Sequence, residues 1–260
     1  VHERRSFCRT MSVFRFKKFE VKNEKSAMKV NTDGVLLGIA APVNNSDSDI
    51  LDIGTGTGTI ALILAQRLHD TCGITNNVSI AGIDIDAPAA EEAGINFSNS
   101  PWADSLTAKN ISLEDFSTET GDRKFDLIVS NPPYYDASLT NPDARKTTAR
   151  HTGTTGESTC GLSFREVLTF ASRHLKEGGR VSIVLPADQE AALARYGRMC
   201  GLHICNILRV KTVERKQPSR IIVSFTREKS VPQEQTLTIM EKGKYTSQYI
   251  SLVKEFYLFA

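Results

Sequence analysis

The sequence predicts a doubly wound α/β fold, in which helices cover both faces of a mostly parallel sheet. Short β-rich runs alternate with helical patterns through the middle of the chain, and closely spaced glycines follow the first run directly. Such alternation is typical of parallel strands joined by crossover helices. The 260 residues suffice for one substantial core. We therefore expect one domain over residues 11–260, with a basic N-terminal segment over residues 11–45 and an extension outside the fold over residues 1–10.

The predicted elements follow one another from residue 50 onward. Apolar, β-rich runs predict seven strands, over residues 50–53, 79–85, 108–113, 125–130, 180–185, 202–213 and 221–226. Helical periodicity predicts helices over residues 59–68, 89–99, 164–175 and 188–199. Gly178 and Gly179 are expected to end the third of these helices. The last two strands, joined by a polar connection, are expected to form an antiparallel hairpin that closes one edge of the sheet.

Composition argues against a secreted, membrane-spanning or metal-dependent protein. The longest apolar run, residues 60–65, is far shorter than the ~20 residues that span a bilayer, and the N-terminus lacks the apolar core of a signal peptide. The five cysteines form no C-x-x-C pair, and the five histidines have no ligand spacing with them. We therefore expect a cytoplasmic protein with reduced thiols and no metal site. The sequence leaves the oligomeric state open, with a monomer favoured.

The small net charge of +2 hides two basic clusters. Residues 1–30 hold nine Lys and Arg against three acids, and residues 198–220 hold six against one. Two such clusters either face a polyanion or form two solvated basic faces, and composition alone does not choose between them. The candidate nucleic-acid contacts in the second cluster are Arg209, Lys211, Arg215 and Lys216.

A glycine-rich turn follows the first predicted strand. Gly54, Gly56 and Gly58 alternate with Thr55 and another threonine, and Asp52 precedes them. Strand–glycine loop–helix units bind cofactors, but this G-x-G-x-G spacing is one residue short of the dinucleotide fingerprint. A carboxylate at this place repels phosphate and attracts an ammonium group. The pattern therefore favours S-adenosylmethionine over a nicotinamide dinucleotide. The candidate contacts are Asp52, Gly54, Thr55, Gly56 and Gly58.

The ends of the next two predicted strands supply further candidate contacts to that cofactor. Asp84 ends the second strand, where it is placed to accept both ribose hydroxyls, and Ile85 lies beside it. At the end of the third strand, Asp115 is placed to accept from the adenine amine and Phe116 to pack on the ring. The alternative for Asp115 and Phe116 is an ordinary turn after a strand.

The most specific feature of the sequence is Asn131-Pro132-Pro133-Tyr134, which directly follows the fourth predicted strand. An amino group conjugated to an aromatic ring is a poor nucleophile, because its lone pair is delocalised. The Asn131 side-chain oxygen and the Pro132 carbonyl are placed to accept its two hydrogens, which aims the lone pair at a methyl donor. Asn131 therefore serves both the target and the cofactor. Tyr134, with Tyr135 beside it, is expected to hold the target base by stacking.

These motifs resemble those of the NPPY amino-methyltransferase family. Further residues resemble its bacterial tRNA1(Val) (adenine(37)-N6)-methyltransferase subgroup, and the likeness covers the chain from Met11. They are Phe14-x-Phe16-Lys17-x-Phe19, the run over residues 27–38 and Ala149-Arg150-His151-Thr152. Residues 1–10 and the unusually polar stretch 69–78 depart from the family pattern.

The resemblance implies a Rossmann-like class I S-adenosylmethionine-dependent methyltransferase fold, with a mostly parallel seven-stranded sheet and an antiparallel hairpin at one edge. It implies methylation of N6 of adenosine 37, next to the anticodon of tRNA1(Val). Lys29, Thr32 and Asp33 are then implied to line the cofactor pocket, and Arg150 and His151 to contact the tRNA. A general-base role for His151 is not needed, because the amine need not lose a proton before attack.

Three other functions remain open on the sequence alone. The same chemistry serves the amide nitrogen of a protein glutamine, giving an N5-glutamine methyltransferase, or an adenine in another RNA. A non-catalytic RNA-binding module with this fold is disfavoured by the intact Asn131 motif together with Asp52 and Asp84. Because nucleic-acid binding weakens steeply with salt, salt dependence separates the RNA and protein targets.

Overall fold

Helices cover both faces of one large sheet, as the sequence predicts. The computed structural model describes residues 12–72, 78–133 and 162–260, with the side chains of residues 71 and 72 excepted. The strands are β1 (Val13–Arg15), β2 (Glu20–Lys22), β3 (Asp49–Ile53), β4 (Ser79–Asp84), β5 (Leu106–Asn110), β6 (Phe125–Ser130), β7 (Leu175–Pro186), β8 (His203–Val213), β9 (Arg220–Thr226), β10 (Gln233–Glu241) and β11 (Lys244–Tyr245). The helices are α1 (Thr32–Ala40), α2 (Thr59–Cys72), α3 (Ala87–Ser98), α4 (Leu113–Thr120), α5 (Phe164–His174), α6 (Glu190–Met199) and α7 (Ser247–Val253).

The main sheet has the strand order β11-β10-β8-β9-β7-β6-β3-β4-β5 within the described residues. From β3 the chain adds β4 and β5 on one side, and then β6 and β7 on the other, all in parallel. The order of strands therefore reverses between β3 and β6. In open α/β sheets, ligands bind at the carboxyl ends of the strands at such a switch point.

The fold class is confirmed, but the far side of the sheet differs from the prediction. The antiparallel hairpin of β8 and β9 is present, yet it does not close the sheet, because β10 pairs in parallel with β8 and β11 pairs with β10. The sheet thus has nine strands in the described residues instead of the predicted seven. Only Leu237 of β10 is buried. This strand therefore lacks the apolar run by which the other strands are recognised.

Two predicted boundaries were wrong. The third parallel strand ends at Asn110 rather than at residue 113, because Ser112 accepts a hydrogen bond from the Asp115 amide and caps α4. The strand predicted to begin at residue 180 begins at Leu175, so Gly178 and Gly179 lie inside β7 and do not end the preceding helix, which ends at His174, one residue before its predicted end. Gly178 has φ +67° inside β7, where the pairing with β6 shifts register between residues 125 and 127.

Two apolar cores lie on opposite faces of the sheet. Leu51 and Ile53 pack in the core that α4, α5 and α6 cover, whereas Ile50 packs in the core beneath α1, α2 and α3. Successive side chains of a strand point to opposite faces. Asp52 therefore points to the same face as Ile50, at the carboxyl end of β3, towards the start of α2.

The N-terminal hairpin and the C-terminal segment pack together over the same face as α2. The rings of Phe16 and Phe19 stack at 4.5 Å between centroids, and Phe16 also stacks on Tyr257 at 5.8 Å. Phe19 meets Trp102 edge-on at 5.7 Å. The basic N-terminal segment is thus part of the folded domain from residue 12 onward. None of the helices in the described part of the chain is long and apolar enough to cross a lipid bilayer.

Candidate active site

The switch point of the sheet brings the glycine loop and Asn131 side by side. Ile53, the last residue of β3, is in register with Ser130, the last residue of β6, and with Ile83 of β4 on its other side. Gly54 and Asn131 therefore leave neighbouring parallel strands, which are ~4.8 Å apart, at the same level. The Ser130 hydroxyl donates to the Ile53 carbonyl at 2.8 Å, which ties the two strand ends together.

The glycine loop has the backbone that its sequence predicts. Gly54, Gly56 and Gly58 have φ of +71°, +57° and +79°, a region that side chains other than glycine rarely adopt. The amides of Gly54 and Thr55 both donate to the Ile83 carbonyl, at 2.9 and 3.0 Å. This pairing holds the loop against the end of β4.

Asp52 lies beneath this loop and is completely buried. Its Oδ2 accepts from the Thr55 hydroxyl at 2.7 Å, while its Oδ1 has no hydrogen-bond partner in the described chain. Burial raises the pKa of Asp52 to about 7, although the Thr55 hydroxyl and the Ala61 amide favour its charged form. The nearby carboxylate of Asp84 raises the pKa further. A buried acceptor without a donor is costly, so this carboxylate is suited to a cationic ligand.

Asp84 reaches the loop from the end of β4. Its Oδ2 accepts from the Gly56 amide at 2.8 Å, and its Oδ1 accepts from the Asp86 amide at 2.9 Å. Burial raises the pKa of Asp84, and the two backbone amides partly offset that effect. The next residue, Ile85, exposes 74% of its surface. An isolated apolar side chain beside a carboxylate at a strand end is suited to the flat face of an adenine.

Asn131 is buried although it is polar, with 6% of its surface exposed. Its amide nitrogen Nδ2 donates to the sulfur of Met28 at 3.4 Å. Pro132, the next residue, is also buried. The predicted catalytic residues that the structure describes thus lie together at the carboxyl end of β6, against the segment that precedes α1.

Three predicted cofactor contacts lie at the start of α1. The Lys29 ammonium donates to the Glu24 carbonyl at 2.8 Å, and Thr32 is exposed in the first turn of the helix. Asp33 forms an ion pair with Arg220 of β9 at 2.7 Å. They are near the carboxyl edge of the sheet, but the contacts of Lys29 and Asp33 are with protein groups.

Asp115 and Phe116 do not end a strand, which corrects the prediction. Both lie in the first turns of α4, where the Ser112 hydroxyl donates to the Asp115 carboxylate at 2.7 Å. The Phe116 ring is buried between Phe125 and Phe170, with centroids 6.4 and 6.2 Å away. Asp115 is exposed and can turn towards a ligand, whereas Phe116 is a core residue.

The second basic cluster divides into paired and exposed cations. Arg209 forms ion pairs with Glu190 at 2.6 Å and with Glu234 at 2.7 Å, so its charge is already balanced. Lys211 is partly buried near the end of β8, and the turn after this strand carries the exposed Arg215 and Lys216. By register, this turn lies at the same edge of the sheet as Asn131. Tyr134, Tyr135, Arg150 and His151 lie outside the described residues.

Sequence reasoning missed the contacts that hold the segment before α1 against the glycine loop. The residues it missed are Ser26 and Met28 in that segment, and Glu92 and Asn96 on α3. Glu92 and Asn96 are both buried, and they are four residues apart in a stretch of α3 whose other buried residues are mostly apolar. Two polar residues on the buried side of a helix are the signal that was available.

Comparison with known proteins agrees with this geometry. Residues 26–195 match the Methyltransferase small domain family. A Bacteroides fragilis protein named tRNA1(Val) (adenine(37)-N6)-methyltransferase is 39% identical over 246 residues, which cover 94% of this chain and 97% of the relative. A Flavobacterium psychrophilum protein of the same name is 38% identical over 247 residues, covering 95% of this chain and 99% of the relative.

A solved structure shows the same fold. It is described as a predicted O-methyltransferase from Agrobacterium tumefaciens and superposes with a TM-score of 0.59 at 17% identity, covering 86% of this chain and 95% of the other. At this identity the likeness concerns the fold alone. Because the sequence matches extend over nearly the whole of both chains, this protein belongs to the Methyltransferase small domain family and to the tRNA1(Val) (adenine(37)-N6)-methyltransferase family.

Proposed function

We propose that this protein transfers a methyl group from S-adenosylmethionine to N6 of an adenosine in tRNA, adenosine 37 of tRNA1(Val) being the expected target. The observation that carries the proposal is the register of β3 with β6, which sets Asn131 beside the glycine loop. The methyl donor and the target amine then meet at one strand end. The names of the curated relatives support the choice of substrate.

The residues around the glycine loop fit S-adenosylmethionine. Asp52 offers a buried oxygen that lacks a donor within the described chain, which suits an ammonium group, and Asp84 offers a carboxylate for ribose hydroxyls. A Cβ at Gly56 would lie 3.4 Å from the Ser26 hydroxyl, so the segment before α1 packs directly against the loop at this position. The Asp52 carboxylate beneath the loop repels a pyrophosphate, which disfavours a dinucleotide. Asp84 does not discriminate between the two ligands, because dinucleotide-binding folds also place a carboxylate there for ribose hydroxyls.

Asn131 and Pro132 prepare the target amine. The bound cofactor supplies a methyl group activated by a positively charged sulfur. The Asn131 Oδ1 and the Pro132 carbonyl accept the two hydrogens of the adenine amine, so its lone pair turns out of the ring plane towards that methyl group. When bound, S-adenosylmethionine would give up this methyl group to the amine nitrogen and be left as the neutral thioether, and the methylated nitrogen would release one proton to water. Positioning and fixed dipoles supply the rate enhancement.

The charge at this edge of the sheet supports RNA over a protein glutamine as the substrate. The exposed cations of the hairpin turn, Arg215 and Lys216, lie on the same edge as the reacting centre. RNA substrates carry a phosphate on each nucleotide, and basic side chains release its counterions on binding. From the sequence, Tyr134 is expected to stack on the target base.

The test is methyl transfer from labelled S-adenosylmethionine to tRNA that lacks the modification, followed by nucleoside digestion and mass analysis. We expect N6-methyladenosine in tRNA1(Val), with the label lost when adenosine 37 is replaced by guanosine. Asn131→Ala should lower kcat by about 10²–10³-fold, while S-adenosylhomocysteine binding stays within a few-fold of the wild type.

Two results contradict the proposal. Normal turnover by Asn131→Ala would rule out the assigned chemistry. Label transfer to a protein glutamine, with no label in tRNA, would show the same chemistry on another substrate.

A further inference from the structure

Two side chains of α3 fasten the segment before α1 to the glycine loop. Glu92, with 2% of its surface exposed, accepts from three consecutive backbone amides. These are the amides of Glu24 at 2.6 Å and of Lys25 and Ser26 at 2.9 Å each. A carboxylate that receives several amides in a buried place is firmly held, because each charge-assisted bond is about twice as strong as a neutral one.

Asn96 makes the second attachment one turn further along α3. Its Oδ1 accepts from the Lys22 amide at 2.8 Å, and its Nδ2 donates to the Lys22 carbonyl at 3.0 Å. The same Nδ2 also donates to the carbonyl of Thr57, inside the glycine loop, at 2.8 Å. Asn96 therefore joins the N-terminal segment and the glycine loop through one buried amide.

The fastened segment forms one wall of the candidate site. Ser26 is buried against Gly56, and its hydroxyl donates to the Met28 carbonyl at 3.0 Å. The Met28 sulfur in turn receives the amide of Asn131. A continuous set of contacts thus runs from α3 through residues 22–28 to the strand end where the amine is expected to bind.

We infer that Glu92 and Asn96 are positioning residues for the cofactor: they hold residues 22–28 as a wall over the glycine loop, on the side next to Asn131. This inference rests on the proposed function. Neither side chain faces the reacting atoms, because both are buried beneath the segment they hold. Their effect on the cofactor passes through Ser26 and Met28, whose positions depend on the backbone amides that Glu92 binds.

The experiment compares Glu92→Gln with a matched control, Asp126→Asn. The glutamine keeps one acceptor but turns an amide donor towards one of the three backbone amides. Asp126 also accepts from two consecutive backbone amides, those of Ser48 and Asp49, at 2.9 Å each. It lies near the start of β6, at the opposite edge of the sheet from the candidate site.

S-adenosylhomocysteine binding is measured by calorimetry, thermal unfolding by fluorescence, and hydrogen exchange of amides 24–26 in the cofactor-free protein. We expect Glu92→Gln to weaken binding about tenfold, which corresponds to ~1.4 kcal/mol, and to speed exchange of amides 24–26. Asp126→Asn should lower the Tm comparably and leave the Kd within about twofold. Asn96→Ala should weaken S-adenosylhomocysteine binding in the same way. If Glu92→Gln does not fold, Asn96→Ala is used in its place.

An equal loss of affinity in Glu92→Gln and Asp126→Asn would overturn the inference, because the effect would then follow stability alone. Wild-type affinity in both Glu92→Gln and Asn96→Ala would overturn it as well. The binding readout does not depend on methyl transfer. If the wild type bound S-adenosylhomocysteine but methylated no tRNA adenosine, the proposed function would fail while the positioning role stood.

Discussion

Asp52→Asn should gain stability relative to the wild type as the pH rises from 5 to 8. The same substitution should weaken cofactor binding. Asp52 is fully buried, and one of its oxygens has no hydrogen-bond partner in the described chain. Asparagine has the same shape and can still accept from the Thr55 hydroxyl. It removes the charge that burial disfavours, together with the carboxylate that suits an ammonium ligand.

The magnitude follows from the pKa of Asp52. Burial raises it to about 7, whereas an unfolded aspartate has a pKa of about 3.9. Between these values the folded chain binds a proton that the unfolded chain has released, so the free energy of unfolding falls as the pH rises from about 4 to about 7. From pH 5 to pH 8 this loss amounts to about 2.5 kcal/mol. An asparagine side chain does not titrate, so the Asp52→Asn variant escapes the loss.

The assay is urea unfolding of the wild type and Asp52→Asn at intervals from pH 5 to pH 8. Titrating groups that do not interact with Asp52 contribute equally to both proteins, so the difference between their free energies of unfolding reports Asp52 together with its coupling to Asp84. We expect that difference to shift by about 2.5 kcal/mol in favour of the variant. Among the described residues, the only charged side chain that contributes to the pKa of Asp52 is Asp84. A difference that is constant with pH would refute the buried, pKa-shifted state.

The same carboxylate makes cofactor binding depend on pH in the opposite direction. As Asp52 loses its proton between pH 6 and pH 8, it becomes able to hold an ammonium group. S-adenosylhomocysteine should therefore bind the wild type more tightly at pH 8 than at pH 6, and calorimetry should show a weaker dependence in Asp52→Asn. Equal pH dependence in both proteins would remove Asp52 from the ligand site.

Two further predictions concern the glycine loop and the basic hairpin. Gly58→Ala, at φ +79°, places a Cβ 2.4 Å from Cε1 of the buried Phe97 ring and should lower the free energy of unfolding by about 3 kcal/mol or more, measured by urea unfolding. Gly201→Ala is the control, because Gly201 has φ +73° in the left-handed cap after α6 and open space around its Cβ, and it should cost about 1–2 kcal/mol; equal losses would show that the overlap is relieved. Arg215→Ala and Lys216→Ala should each weaken tRNA binding and lower the salt slope by about 1. Arg209→Ala should leave the salt slope unchanged, because its charge is balanced by two glutamates, and a drop in slope there would show that the ion pairs open on binding.

Local patterns were sufficient for the centre of the site. The glycine loop needs positive φ at three alternate residues, and only glycine adopts positive φ at low cost. The conformation of the loop could therefore be predicted from the sequence. Asn131 follows an apolar strand, and parallel strands in a doubly wound sheet end at one edge. Its place beside Gly54 therefore followed from the order of the elements.

The sequence-based predictions were wrong where a local pattern was missing or fitted more than one secondary structure. The polar strand β10 exposes most of its side chains, so it has no apolar run, and its place in the sheet comes from pairing with β8. Phe116 follows a strand closely enough to suggest a ligand contact. The cap at Ser112 begins a helix instead, and that helix turns the ring into the core.

Local patterns along the chain predicted the order of the central strands and helices, the glycine loop and the position of Asn131, because each depends on residues that are neighbours in the chain. The pairing of distant residues became clear from the packed structure alone. Glu92 meets the amides of residues 24–26 across 66 to 68 positions, and Arg209 is neutralised by Glu190 of α6 and Glu234 of β10. Such pairings depend on how helices pack across the sheet, and no periodicity along the chain records them.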